Sequence, residues 1–146
     1  MTIWVDADSC PKRVRDIIVR ASNRRGIPAR FVSRQDVGVR STGPVEALVT
    51  AEDADEVIVS RAAAGDLAVT RDIPLAARLV EQDVRVLNTR GDVFDRSNVR
   101  ERLSERDFMY ELRSAAAFDE PGRRYGKHEV EAFANAFDRE LQKRLK

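Results

Sequence analysis

The sequence predicts an α/β fold, with a central, mostly parallel five-stranded sheet followed by C-terminal helices. Three observations predict it. Short apolar runs bounded by turn residues alternate with stretches of helical spacing over roughly the first 90 residues. The helical stretches are long enough for crossovers, which return the chain to a parallel neighbour and cover both sheet faces. Beyond residue 96 the alternation stops and the pattern becomes purely helical. In this reading residues 1–146 form one domain, with a sheet core in 1–95 and a helical part in 96–146 packed on it or on a partner.

Thr2–Asp6 is the first strand, carrying Ile3, Trp4 and Val5. Pro11 suits a first helical position, and Val14, Ile17, Ile18 and Ala21 follow on one face until Gly26 ends the helix. Ala29–Ser33 is the second strand, Arg34–Pro44 a loop, and Glu46–Thr50 the third strand. Asp53 caps a helix over Ala54–Ala64, stopped by Gly65. Asp66–Thr70 is a strand, Pro74 opens a helix with Leu75, Leu79 and Val80, and Val84–Asn88 is the fifth strand. After a loop at Thr89–Arg96, Asn98 with Glu101 resembles a capping pair for a helix carrying Val99, Leu103, Met109 and Leu112. Asp119–Gly122 is a loop. The last helix carries Val130, Phe133, Ala134, Phe137 and Leu141, a stripe that must be buried on the sheet or in a homodimer through this helix.

The composition excludes several classes. Lys+Arg 26 against Asp+Glu 25 leaves a net charge of +1, too low for a protein that coats polyanions. That sum hides a segregation, since residues 11–40 are strongly basic and residues 44–83 strongly acidic. One cysteine excludes an internal disulfide framework and a multi-cysteine zinc site. No run reaches the ~20 apolar residues of a membrane helix, and no leader pattern opens the chain, so a cytoplasmic location is expected.

Aspartates gather at strand ends. Asp6 closes the first strand, Asp8 follows two residues on, and Asp72 follows the fourth strand. In open α/β sheets, ligands bind beyond the carboxyl ends of strands where the strand order reverses. If the first and fourth strands are neighbours there, Asp6, Asp8 and Asp72 converge, and Asp53, Asp55 or Glu56 reaches the same rim. Converging carboxylates repel one another and call for a divalent cation, Mg2+ or Mn2+, with oxygen ligands. Each aspartate alone also suits a helix cap. Arg90, in Asn88-Thr89-Arg90-Gly91-Asp92, is a candidate phosphate contact, and Asp92 a further acid, unless the segment is a plain polar turn.

Other chemistries find less support. Cys10 at a helix mouth lacks the arginine six positions later that a cysteine phosphatase needs, since Asp16 stands there, and it reads as a small packed residue. His128 reads as a solvated group near the start of the last helix. No glycine-rich phosphate loop is present, which disfavours nucleotide cofactors.

The runs Trp4-Val5-Asp6-Ala7-Asp8-Ser9-Cys10-Pro11 and Gly65-Asp66-Leu67-Ala68-Val69-Thr70-Arg71-Asp72-Ile73-Pro74-Leu75-Ala76 carry a resemblance, joined by Asn88-Thr89-Arg90-Gly91 and Arg106-Asp107-Phe108-Met109. In order and spacing they resemble the YaiI/YqxD family of uncharacterised bacterial proteins, over essentially the whole chain. Thr89 stands where that family usually has proline. The family is grouped with the PIN-like superfamily, whose characterised members are mostly metal-dependent ribonucleases. The resemblance therefore implies a three-layer PIN-like domain with Asp6, a mid-chain acid (Asp53 or Asp55) and Asp72 at its site. Asp8 and Cys10-Pro11 are extra to the general PIN pattern.

Three functions follow as expectations. The leading one is a Mg2+- or Mn2+-dependent phosphodiesterase acting on RNA. Asp6, Asp8, Asp55 and Asp72 would hold the ion, with Asp6, Asp8 and Asp72 catalytic, while Arg34, Arg40, Arg71 and Arg90 would bind phosphates. The second is a non-catalytic PIN-like binding module. The third is a haloacid-dehalogenase-type phosphatase, with Asp6 as nucleophile and Asp8 as general acid. No lysine lies mid-chain, and the Asp66 to Asp72 spacing is long for that fold's acidic pair.

Overall fold

The computed structural model describes residues 1–104 and 125–144. Residues 105–124, which hold Met109, Leu112, the Arg106–Met109 motif and the Asp119–Gly122 loop, lie outside the described residues. Six strands form one sheet in the order β3-β2-β1-β4-β5-β6. They are β1 (Ile3–Asp6), β2 (Ala29–Ser33), β3 (Val45–Val49), β4 (Leu67–Val69), β5 (Arg85–Leu87) and β6 (Val93–Phe94). The first five pair in parallel, and β6 lies antiparallel on β5. The sheet is thus α/β and mostly parallel as expected, with one strand more than the five expected. The sixth arises inside the expected loop Thr89–Arg96. Asn88 Oδ1 accepts the Arg90 and Asp92 N–H groups, each at 2.9 Å, and Gly91 turns at φ +91°. That folds the chain back on itself, and two paired residues are too few for any alternation to show in sequence.

Helices cover both faces. On one side α1 (Lys12–Arg25) and α4 (Lys127–Arg144) pack Val14, Ile18, Phe133, Phe137 and Leu141 against Ile3, Val5, Phe31, Val69 and Leu87. On the other, α2 (Ala54–Arg61) and α3 (Ile73–Glu81) pack Ile58, Leu75 and Leu79 against Trp4, Val32, Ala68 and Val86. Alternate residues of β1 therefore serve opposite cores, which explains its unbroken apolar run. The α4 stripe lies inside the chain, with the Phe133 and Phe137 rings stacked at 5.4 Å. Gly26 ends α1 in the left-handed region at φ +68°.

Two helix boundaries differ from expectation. Helix α2 stops at Arg61 instead of Ala64, because the Ala63 N–H is drawn to Asp66 Oδ2 at 2.9 Å. Residues 99–104 are helical, but Asp95 is their cap in place of the Asn98 and Glu101 pair. Its Oδ1 accepts from the Ser97 and Asn98 N–H groups, while Asn98 Oδ1 accepts the Asp95 N–H.

Asp66 is a buried structural acid. Its carboxylate also accepts the Thr2 N–H at 2.9 Å and the Trp4 Nε1–H at 3.0 Å. Asp66→Ala leaves three donors without a partner, so a stability loss of about 3 kcal/mol is expected. Urea unfolding followed by Trp4 emission measures it; a loss below about 1 kcal/mol would contradict the role.

Candidate functional site

The strand order reverses between β1 and β4. The crossover from β3 passes to the other side of β1, opening a crevice beyond the carboxyl ends of these two strands. An open cavity of ≈ 470 Å³ occupies that place, lined by Asp6, Asp8, Ser9, Arg34, Asp53, Ala54, Asp55, Arg71 and Asp72. Four elements meet here, because β1, the Ala7–Ser9 turn and the starts of α2 and α3 all face this end.

Asp6 is 7% exposed and sits at the centre of a hydrogen-bond relay. Its Oδ2 accepts the Thr70 hydroxyl at 2.8 Å and the Ser9 hydroxyl at 3.0 Å. Thr70 Oγ1 in turn accepts the Asp72 N–H at 3.0 Å, and Ser9 Oγ the Arg71 N–H at 3.4 Å. Burial pushes the Asp6 carboxyl up from its ordinary range, the two hydroxyls oppose this, and the charges of Asp72 and then Asp8 add to it. The side chain of Asp72 caps α3 by accepting the Leu75 N–H, and Asp53 caps α2 by accepting the Asp55 N–H. The capping role is therefore real for both, and it places them on the crevice at the same time.

Asp55 is pushed up to about 7. Burial is the first cause, then the charges of Asp72, Asp6 and Asp53, with a hydrogen bond to Asp72 that requires Asp55 to keep its proton. The folded chain binds this proton more tightly than the unfolded chain, so stability present below about pH 4 is lost as pH rises towards 7. Asp55→Asn is expected to raise the melting temperature at pH 8 and leave it unchanged at pH 4, and solvent screening limits the gain to about 1 kcal/mol. Equal shifts at both pH values would overturn this assignment.

The expected residues divide. Asp6, Asp8, Asp53, Asp55, Asp72, Arg34 and Arg71 share the crevice. Glu56 does not line it and instead forms a double contact with Arg78 at 2.6 and 3.1 Å. Arg40 is exposed outside the crevice. Arg90 also lies outside, paired with Glu129 at 3.6 Å and set over the Tyr125 ring. Asp92 is engaged by Asn88 Nδ2 and Arg102. Cys10 is buried and its thiol is pushed up to about 12, chiefly by that burial, so it is protonated at neutral pH. His128 is exposed. Sequence reasoning missed Ser9 and Thr70 as partners of Asp6; their place beside Asp6 and Asp72 in the two motifs was the available signal.

Among the described residues, no group of three or more His, Cys, Asp or Glu side chains stands close enough to hold a metal ion as arranged. A closed, all-protein cage therefore does not fit. The donors are all oxygens, and the charge of Asp72 helps push Asp6 and Asp55 up, which fits an ion held by one or two carboxylates and otherwise by water, as Mg2+ is commonly held.

A family model described as "Uncharacterized BCR, YaiI/YqxD family" matches residues 4–143. The chain belongs to the YaiI/YqxD family. Its relatives include a UPF0178 protein of Treponema pallidum, 44% identical over 100% of this chain and 84% of the relative. UPF0178 proteins of Syntrophobacter fumaroxidans, at 40%, and Myxococcus xanthus, at 44%, each match 100% of this chain and 97% of their own length. This YaiI/YqxD chain is thus matched end to end by bacterial relatives. No solved structure matches it. Among the described residues, no helix is long and apolar enough to cross a membrane.

Proposed function

We propose that the crevice is the site of a divalent-cation-dependent phosphodiesterase acting on RNA, of the PIN-like type. One observation carries this reading. Asp6, Asp55 and Asp72 come from separate elements to line one crevice with Arg34 and Arg71, where burial and then the charges of Asp72 and Asp6 push Asp55 up to about 7. Acids forced together in this way are a common mark of a functional site, because structure alone gains nothing from their repulsion.

Mg2+ or Mn2+ would be held by one or two of Asp6, Asp55 and Asp72, with water completing its shell. Such an ion, when bound, supplies charge stabilisation at a phosphoryl group and eases deprotonation of a water. The Thr70 and Ser9 hydroxyls both donate to Asp6 Oδ2, so Oδ1 is the oxygen that would serve an ion. The Arg34 and Arg71 guanidinium groups suit bidentate contact with phosphate oxygens. Asp55 must release its proton when a cation arrives, so binding weakens as pH falls below about 7.

Calorimetric titration with Mn2+, beside cleavage of mixed RNA, tests the reading. Wild type should bind and cleave, and Asp72→Asn should do neither at comparable concentrations. If both proteins leave the same residual activity, the nuclease reading fails. Cation binding without cleavage would favour a binding module.

A further inference from the structure

The Ala7–Ser9 turn touches both arginine-bearing loops of the crevice through their backbones. Asp8 Oδ2 accepts the Arg34 N–H at 2.7 Å, across 26 residues of sequence, and Ser9 Oγ accepts the Arg71 N–H at 3.4 Å. We propose that Asp8 is a positioning residue and not an ion ligand: it pins the start of the 34–40 loop and thereby sets Arg34 on the rim to take an RNA backbone phosphate. The inference rests on the phosphodiester reading above, and narrows it by assigning substrate contact to Arg34.

Three features support it. Asp8 is exposed and one of its oxygens is already committed to a short, charge-assisted bond with the loop. Beyond Arg34 the loop is fixed by other anchors. The Ser33 hydroxyl donates to the Gln35 carbonyl at 2.6 Å, Asp36 accepts the Gly38 N–H at 2.8 Å, and Arg15 Nη2 donates to the Val37 carbonyl at 3.4 Å. Arg34 is therefore held at its backbone, while its side chain is exposed and faces the crevice. A guanidinium held only at its root keeps its five donors for a ligand. A substrate phosphate approaching an acidic crevice also needs a fixed cation on the rim to offset the repulsion.

The experiment uses the full chain and four variants: Asp8→Ala, Asp8→Asn, Arg34→Ala and the Asp8→Ala/Arg34→Ala double. Asparagine keeps an acceptor oxygen for the Arg34 N–H. Binding of a fluorescein-labelled single-stranded oligouridylate is read by polarisation at low salt, and Mn2+ binding by calorimetry. Asp8→Ala and Arg34→Ala should each weaken RNA binding about tenfold, and the double variant no further. Asp8→Asn should bind within about twofold of wild type, and Mn2+ affinity should hold in both Asp8 variants. A tenfold fall in Mn2+ affinity on either Asp8 change makes it an ion ligand and overturns the proposal, as do additive losses in the double variant. If wild type binds neither Mn2+ nor RNA, the phosphodiester reading falls and takes the phosphate role of Arg34 with it. Hydrogen exchange then still judges the positioning: the Arg34 amide should lose protection in Asp8→Ala and keep it in Asp8→Asn, and equal protection in both overturns it.

Discussion

Asp6→Asn is expected to lower Mn2+-dependent RNA cleavage by at least about a hundredfold while leaving the chain as stable as before or more so. The two effects have one cause. Asp6 is nearly buried, and burial pushes its carboxyl towards the protonated form. A neutral amide of the same shape relieves that cost, and its single oxygen can still accept the Thr70 and Ser9 hydroxyls. What it loses is the charge that a cation needs. Lost activity with retained stability is the signature of a group kept for function at the expense of the fold. Asp53→Asn is the companion measurement. Its oxygen caps α2 through the Asp55 N–H, and asparagine caps equally well, so cleavage should change by less than about threefold. Thermal unfolding and initial cleavage rates on the three proteins decide the matter. Asp6→Asn cleaving at wild-type rate would remove Asp6 from the site.

Gly91→Ala is expected to destabilise the fold by about 3 kcal/mol or more. A Cβ at this position would stand 2.6 Å from the Ala132 carbonyl oxygen and 2.9 Å from its carbon, both backbone atoms of α4. Neither can swing aside, and φ of +91° adds the strain of a left-handed backbone. The 88–91 turn must retreat from α4, which loosens the Tyr125 hydroxyl bond to the Thr89 carbonyl at 2.5 Å and the Arg90 pair with Glu129. Gly38→Ala separates the two contributions. Its φ is +81° but nothing lies within 4 Å of the added carbon, so only the backbone cost of about 1–2 kcal/mol applies. Equal urea midpoints for the two variants would show that the close approach to α4 carries no energy.

The fold gives the Asn88-Thr89-Arg90-Gly91 motif a structural role. Read along the chain, Arg90 after a strand end was a reasonable phosphate contact. In the fold, the motif is a turn that docks α4, and its arginine is spent on Glu129 and Tyr125. A one-dimensional pattern records that an arginine follows a strand, but not that a helix from forty residues later lies against it. The same limit applies to Glu56. It sits one residue from Asp55, yet a helix turns its neighbour by about 100°, enough to face Arg78 instead of the crevice.

Local chemistry determined much of this protein without help. Apolar runs bounded by Pro11, Gly26, Asp53 and Asp72 placed five strands and the helices between them, because each signal acts within a few residues of itself. The same locality put Asp6 and Asp72 at strand ends. Tertiary structure decided what depends on neighbours far apart in sequence. It made β1 and β4 adjacent, so that Thr70 meets Asp6. It added β6, which exists only by pairing with β5. It turned α4 inward onto the sheet. It also brought Asp53 and Asp55 to the crevice and set Glu56 against Arg78, and the repulsion among the gathered carboxylates arises only once the fold brings them together.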